Sequence, residues 1–361
     1  MRRPVYLGAS GLVCARGHTP AVVSTALRAG ECSSSWRLHG NRRFPWFALP
    51  LDETDWLERA AWAVRQVGES LGPLASATPL FVASSSFQVG LCETRPPPYE
   101  LPVANASFSR QLATWLRLDE IPPYSFSNAC ISGFSAIDAA RSLIAAGQID
   151  EAVVLGCELA NASTLAGFAA LELLSPTACR PFDRDRDGLV LGEAVAAIRL
   201  SATPTPWRLA AVRTGIDAWS ITGPDPDGSP IAELLGECLH EAGLQASDID
   251  LIKLQAAGSP GTDLAEANAL RQIFTTGTPP LLSLKSAFGH TLGASGVAEL
   301  AALLACLDDR QIPATAGFVT PDPQLALQPT TAGRQQTVRH ALLNLIGFGG
   351  GLGCLIVAHE R

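Results

Sequence analysis

An α/β fold with mostly parallel sheets is the class this sequence predicts, and three observations predict it. Short apolar segments that read as strands alternate with helically periodic ones along the chain. Hydrophobic residues make up 47% of the 361 and charged ones only 17%, which suits a large buried core. A Pro-rich seam, Thr203-Pro204-Thr205-Pro206, opens a second stretch that repeats the order of the first. In both, strands and helices alternate and antiparallel strands follow. The seam divides the chain into halves 1–203 and 204–361.

Residues 4–14 read as a strand ending in glycine turns, and Pro20 to Leu27 as a short helix. Cys32 to Leu51, with Gly40-Asn41-Arg42-Arg43, reads as a loop. Trp56 to Leu71 is an amphipathic helix, Pro79 to Ser86 a strand, Pro96-Pro97-Pro98 a surface loop and Ser107 to Leu116 a helix. An extended run from Tyr124 stops at Asn128-Ala129. Phe134, Ile137, Ala140, Leu143 and Ile144 then keep helical spacing, with Gly147 as the stop. Glu151 to Cys157 is a buried strand, Thr164 to Leu174 a helix and Leu189 to Leu200 a strand. In the second half the strands are Arg208–Ile216, Ile249–Gln255, Pro280–Leu284, His340–Leu345 and Gly353–His359. The helices are Ile231–Ala242, Asp263–Phe274 and Ser295–Leu307.

Composition narrows the function. No apolar run reaches the roughly 18 residues of a membrane span, and Met1 to Gly8 runs straight into a strand rather than a signal peptide. Nine scattered Cys without a CxxC pair predict a reduced, cytoplasmic protein with neither disulfides nor a zinc site. A net charge of −8 without a basic block argues against nucleic acid as a partner.

Four polar, glycine-bearing segments carry the chemistry. The first puts Cys130 at a strand-to-helix turn, where unpaired N–H groups and the helix dipole are expected to lower the thiol pKa. The second, Arg180 to Glu193, is a charged loop entering a strand. It faintly resembles a calcium loop, but Ala194 stands where the bidentate Glu is needed. The third, Gln255 to Glu266, is a strand end turning into a helix capped by Thr262 or Asp263. The fourth places Lys285 and His290 in a glycine loop at the C-terminal end of a parallel strand, where α/β folds hold ligands. Gly347-Phe348-Gly349-Gly350-Gly351 adds backbone that can approach a substrate closely.

Together these segments resemble the β-ketoacyl-ACP synthases, condensing enzymes of the thiolase superfamily, and most closely the branch using one Cys and two His. Cys130 lies in an Ala-Cys-x-x-Gly turn, and Arg180-Pro181-Phe182-Asp183 with Gly192-Glu193 matches a family signature. Asp217 to Gly228 resembles the loop entering the second half. Lys285 and His290 fall on Lys-x-x-x-x-Gly-His, Glu299 follows at the family spacing, and Phe348 lies in Gly-Phe-Gly-Gly. The resemblance implies a thiolase fold, two pseudo-repeated halves in a five-layer α-β-α-β-α arrangement. It also implies a decarboxylative Claisen condensation, with the acyl chain carried on Cys130 as a thioester and malonyl-ACP as the second substrate.

In that scheme His290 Nε2 donates to the enolate oxygen and Lys285 supports it. The N–H groups of Cys130 and Phe348 hold the thioester oxygen, and Phe348, Gly349 and Gly350 form the gate. Asp263, Glu266 and Glu299 are structural supports. No metal or cofactor is expected, because the substrates ride on the phosphopantetheine of ACP. The implied partners are acyl carrier protein and a second ketosynthase-like chain, in a homodimer or heterodimer. Arg42, Arg43 and Arg271 are candidates for a basic docking patch.

The pattern breaks at the first family His, where Gln255 stands, while Pro260, Asp263 and Glu266 keep their register. Glutamine transfers no proton, but its NH2 donates a hydrogen bond. Two enzymatic readings follow: a condensing enzyme with a Cys130–His290–Gln255 set, or a non-elongating acyltransferase or chain-length-factor subunit. A structural interaction subunit is the non-enzyme alternative. Gly351-Leu352 replaces the family's Thr-Asn and suggests a polyketide or polyene-like pathway rather than housekeeping fatty acid synthesis.

Overall fold

The computed structural model describes residues 3–53, 55–94 and 101–360. Pro96-Pro97-Pro98, read above as a surface loop, lies outside them. Ten strands form the main sheet: β1 (Tyr6–Cys14), β2 (Leu80–Ala83), β3 (Tyr124–Phe126), β4 (Glu151–Glu158), β5 (Ala194–Ser201), β6 (Trp207–Ile216), β7 (Leu251–Lys253), β8 (Leu281–Leu282), β9 (His340–Ile346) and β10 (Gly351–His359). Their order is β8-β7-β9-β10-β6-β1-β5-β4-β2-β3.

Counted from its own first strand, each set of five has the order 3-2-4-5-1. In each, strands 3, 2 and 4 are parallel, and 4-5 and 5-1 are antiparallel. Only two residue pairs, Tyr6 with Arg208 and Leu7 with Trp207, join β1 to β6. The two five-stranded sets are thus nearly free of one another and lie as separate layers.

Among the described residues, the longer helices that fill the layers around them are α1 (Trp56–Ser70), α2 (Leu101–Leu116), α3 (Ser132–Ala145), α4 (Ser229–Ala242), α5 (Pro260–Ile273) and α6 (Ser295–Asp308). Strand alternation assigns each face. Val13, Val195 and Ala197 pack with α1 and α2, whereas Leu12, Ala196 and Ile198 face α3 and α6. Leu342 and Ile356 pack with α4 and α5, whereas Leu343 and Val357 face α3 and α6. The result is the five-layer α-β-α-β-α arrangement.

Apart from Ser295, Glu299 and its last residue Asp308, helix α6 is apolar on every side, and it is buried along almost its whole length, as a central helix must be. It meets α3 at glycine. A Cβ on Gly133 would lie 3.0 Å from Gly296 Cα, and one on Gly296 would lie 3.0 Å from the Phe134 nitrogen. The beginnings of the two helices therefore touch backbone to backbone.

Several local expectations are corrected. Cys32–Leu51 is not a loop: Ser35–His39 and Arg42–Phe47 form a hairpin around Gly40-Asn41, with Gly40 at φ +58°. Trp36 and Leu38 alternate correctly but face outward, which hid the strand. The Leu189–Leu200 strand is broken at Glu193. Its buried carboxylate accepts from the Leu49 and Ala160 amides (3.0 and 2.9 Å) and pairs with Arg59 (2.6 Å). Helix α2 begins at Leu101, six residues before the expected Ser107. Helix α5 begins at Pro260, so Thr262 and Asp263 do not cap it, and Asp263 instead accepts from the Phe182 amide at 2.9 Å.

The α3–α6 contact has a measurable consequence. Gly296→Val forces backbone apart in a close-packed layer and should destabilise the fold by about 2–3 kcal/mol. Urea denaturation checks the loss, and a matched Val at Gly236, which faces open space apart from Ile273 Cδ1 at 3.8 Å, should cost far less.

Candidate active site

Strand β3 ends at Phe126 and α3 begins at Ser132, so Cys130 sits on the turn between them. Ala129 is bent into the left-handed region (φ +44°), which costs a residue bearing a Cβ free energy. Ser132 Oγ holds that bend by accepting from the Asn128 amide (2.8 Å) and donating to the Ala129 carbonyl (2.6 Å). On the opposing segment the His290 amide donates to the Val190 carbonyl (2.8 Å), and the His290 carbonyl accepts from the Gly192 amide (3.0 Å). Cys130 precedes α3 and His290 precedes α6, so the glycine contact between the helices brings them together. His290 Nε2 lies 3.0 Å from Cys130 Sγ.

Cys130, His290, Gln255, Phe348, Phe168 and Thr262 line one narrow pocket. The Phe348 ring stacks on Phe168 with centroids 5.1 Å apart and planes at 15°, and both rings pack in the apolar cluster that holds Cys130. The Phe348 amide is close enough to Cys130 to favour its thiolate. Gly349 is exposed and donates its amide to the Ile221 carbonyl at 2.8 Å. Gly350 is buried at φ +75°, where a Cβ would fall 1.8 Å from the Asp217 carbonyl oxygen. The 348–350 turn is thereby tied to the 217–228 loop, whose Trp219 and Ile221 are exposed beside the pocket.

Lys285 does not line the pocket. It lies behind His290, fully buried, with its Nζ on Glu299 Oε1. The other Glu299 oxygen holds Lys253, which also donates to the Asn344 carbonyl at 2.9 Å. Burial works against the Glu299 charge, but the two ammonium groups together hold its carboxyl below the usual range. Burial pulls Lys253 down to about 8 against the pull of Glu299. Glu266 accepts from the Gln255 and Ala256 amides (2.7 and 2.8 Å) and from Asn344 Nδ2 (2.7 Å), so it fixes the backbone that presents Gln255. Gln255 Oε1 is buried without a partner.

The expected low thiol pKa at Cys130 is corrected. Burial pushes it up to about 11, only partly opposed by the Phe348 amide and Lys285, because Cys130 lies two residues before α3 in a closed apolar cluster. Burial first, then Lys285 and Lys253, hold the His290 imidazole far below its ordinary value and therefore neutral. In the closed pocket a neutral thiol faces a neutral imidazole.

Lys253 and Ser295 were missed from sequence. Lys253 is legible afterwards as one charge inside the apolar run Leu251-Ile252-Lys253-Leu254. Of the docking candidates, Arg42 and Arg43 are exposed and lie over Phe44 and Trp36 at 4.8 and 4.6 Å. Arg271 instead donates to the Leu325 carbonyl at 2.6 Å.

Residues 104–204 match the family description "Beta-ketoacyl synthase, N-terminal domain", and residues 208–319 match "Beta-ketoacyl synthase, C-terminal domain". The 3-oxoacyl-[acyl-carrier-protein] synthase 2 of Mycobacterium leprae is 35% identical over 241 residues, 62% of this chain and 57% of that protein. Its namesake in Vibrio cholerae is 32% identical over 255 residues, 65% of this chain and 62% of that protein. The chain thus spans less than two thirds of the length of these relatives.

Among solved structures, a type II PKS acyl-carrier protein in complex with its ketosynthase aligns at TM-score 0.86 and 19% identity over 100% of both chains. The ishigamide ketosynthase/chain length factor aligns at 0.86 and 22%, again over 100% of both. A beta-ketoacyl synthase from Burkholderia phymatum aligns at 0.84 and 23% over 100% of both. These likenesses establish the thiolase fold.

The buried thiol sets an order of reactivity. Iodoacetamide at pH 7 should modify Cys32, the one exposed cysteine, before Cys130. Labelling of Cys130 should rise about tenfold per pH unit toward pH 10, as the thiolate fraction does. Peptide mass spectrometry reads both rates. A second test concerns the buried charges: Glu299→Gln leaves two facing ammonium groups without their counter-charge and should cost about 3–5 kcal/mol in thermal or urea unfolding.

Proposed function

This chain belongs to the β-ketoacyl synthase family, and from that premise we propose that it condenses an acyl thioester held on Cys130 with malonyl-ACP, releasing carbon dioxide. The 3.0 Å contact between Cys130 Sγ and His290 Nε2 on the floor of a closed pocket carries this reading. The thiolate attacks the carbonyl of the incoming acyl thioester, and the departing carrier thiolate takes up the proton released by Cys130. The acyl chain then rests on sulfur as a thioester, which divides one difficult step into two.

Loss of carbon dioxide from malonyl-ACP leaves an enolate, whose carbon attacks that thioester carbonyl and expels the Cys130 thiolate. His290 Nε2 and the Gln255 amide supply hydrogen bonds to the enolate oxygen. The Cys130 and Phe348 amides hold the thioester oxygen, in a dry site where such donors act strongly. Lys285 acts from behind through Glu299 and does not touch substrate. Phe348 moves off Phe168 to admit the acyl chain, hinged at Gly349 and Gly350.

The substrates arrive on the phosphopantetheine arm of an acidic carrier protein, so the reaction needs no further cofactor or metal. The exposed Arg42 and Arg43 belong to its docking surface. The halves 1–203 and 204–361 carry the thiol and the imidazole respectively. The outer side of β3, at the sheet edge, pairs with the same strand of a second copy or of a related chain. Among the described residues no helix is long and apolar enough to cross a membrane, and we place the protein in the cytoplasm.

One observation favours a second reading. Gln255 occupies the pocket where a proton-transferring group is expected, and its buried oxygen has no partner. A chain that accepts an acyl group but does not decarboxylate would be a non-elongating acyltransferase or a chain-length-factor subunit.

Gln255 variants separate the two. Under the condensing reading, Gln255→Ala should cut carbon dioxide release from malonyl-ACP on the order of 100-fold, the usual cost of losing one such donor. Gln255→His should retain it, and both should leave radiolabelled acyl transfer to Cys130 nearly intact. Acyl transfer without any carbon dioxide release by the wild type, alone and with a partner chain, selects the second reading.

A further inference from the structure

Behind the His290 ring three buried polar groups stand in a row. Ser295 Oγ lies 3.2 Å from His290 Nδ1, and Thr291 Oγ1 lies 3.2 Å from Ser295 Oγ. Thr291 and Ser295 are both fully buried. Among the described residues, neither hydroxyl has a hydrogen-bond partner outside this row.

Counting hydrogens decides their orientation. Each hydroxyl carries one hydrogen, and a neutral imidazole carries one on either Nδ1 or Nε2. With the hydrogen on Nδ1, the ring donates to Ser295 Oγ. Ser295 then donates to Thr291 Oγ1, which strands the Thr291 hydrogen. If Thr291 instead donates to Ser295, the Ser295 hydrogen is stranded. With the hydrogen on Nε2, Thr291 donates to Ser295, Ser295 donates to Nδ1, and Nε2–H points at Cys130 Sγ. Every hydroxyl and ring hydrogen then has an acceptor, and only the weakly donating thiol is left over.

We propose that Ser295, backed by Thr291, is a positioning residue that fixes His290 in the tautomer carrying its hydrogen on Nε2. A backbone carbonyl at the same place would impose the opposite tautomer, since it only accepts. The assignment deepens the reading of His290 as the donor to the enolate oxygen, and its importance for catalysis rests on that reading. It also accounts for how the pocket works with glutamine at 255. Neither donor ionises, so the imidazole must present N–H rather than a lone pair, and the hydroxyl row secures this.

The test is nitrogen NMR on protein labelled with ¹⁵N-histidine, with His290→Gln identifying the signal by its loss. Wild type should show a bare Nδ1 and a protonated Nε2. Ser295→Ala should shift the ring toward Nδ1–H, Thr291→Val should shift it less, and Ser295→Thr should restore the wild-type pattern. In parallel, Ser295→Ala should lower the kcat of malonyl-ACP decarboxylation about tenfold, the worth of one hydrogen bond, with KM little changed.

A wild-type ring protonated on Nδ1, or a tautomer unmoved in both Ser295→Ala and Thr291→Val, overturns the assignment. A tautomer that shifts as expected upholds it even where the wild type releases no carbon dioxide, an outcome that sinks the condensing reading alone.

Discussion

Backbone contact between two buried helices is the constraint on which this structure depends. Gly133 and Gly296 let α3 and α6 approach within van der Waals distance, and each helix follows directly on a segment carrying a chemical group. A thiol from the first half and an imidazole from the second therefore meet at 3.0 Å although 160 residues separate them. Neither group is held by its own loop alone. The strained Ala129 bend fixes one, backbone bonds to Val190 and Gly192 fix the other, and the glycine contact sets the distance between them.

The same central layer explains why buried charge is tolerated. Glu299 projects from α6, and Lys253 shares the face of β7 that Leu251 presents to the middle layer, so the two meet inside the core. Lys285 reaches the same carboxylate from its other oxygen. An isolated ion there would be costly, but a carboxylate between two ammonium groups with a carbonyl on one of them leaves little unsatisfied. The cluster also bears on the pocket, since both lysines disfavour a positive charge on His290.

The sequence made the alternation of strands and helices legible because each buried face repeats at its own period, and the Cys130 and His290 segments were legible because glycine and polar residues interrupt that pattern. What it concealed has identifiable causes. The Ser35–Phe47 hairpin keeps strand alternation but turns Trp36 and Leu38 to solvent, so burial could not mark it. Helix α5 starts at Pro260, with the proline at its first position, and Asp263, an apparent cap three residues further in, instead accepts from the Phe182 amide, a contact across 81 residues. Ser295 gave no signal, being one small residue at a helix start whose meaning comes entirely from the Nδ1 atom beside it. The thiol pKa of Cys130 is raised rather than lowered because burial outweighs the Phe348 amide and the Lys285 charge, and that burial comes from packing across the pocket, which the turn's own sequence does not reveal.

That closure changes the kind of site this is. Burial drives the thiol and the imidazole toward their uncharged forms, so the resting pocket cannot rely on a thiolate–imidazolium pair. What it offers is a set of dipoles fixed before substrate arrives: the Phe348 amide near the sulfur, the imidazole held by hydroxyls from behind, and an amide side chain whose backbone Glu266 pins. Dipoles oriented in advance in a dry site need no reorganisation when negative charge develops, first on sulfur and then on an enolate oxygen under the proposed chemistry. Under the proposed chemistry a glutamine at 255 serves this purpose, since an amide N–H stabilises an oxyanion without itself ionising. Gln255 is thus coherent with the rest of the pocket, in which the Lys253–Glu299–Lys285 charges lie behind the lining and the thiol, imidazole and amide that face one another are neutral.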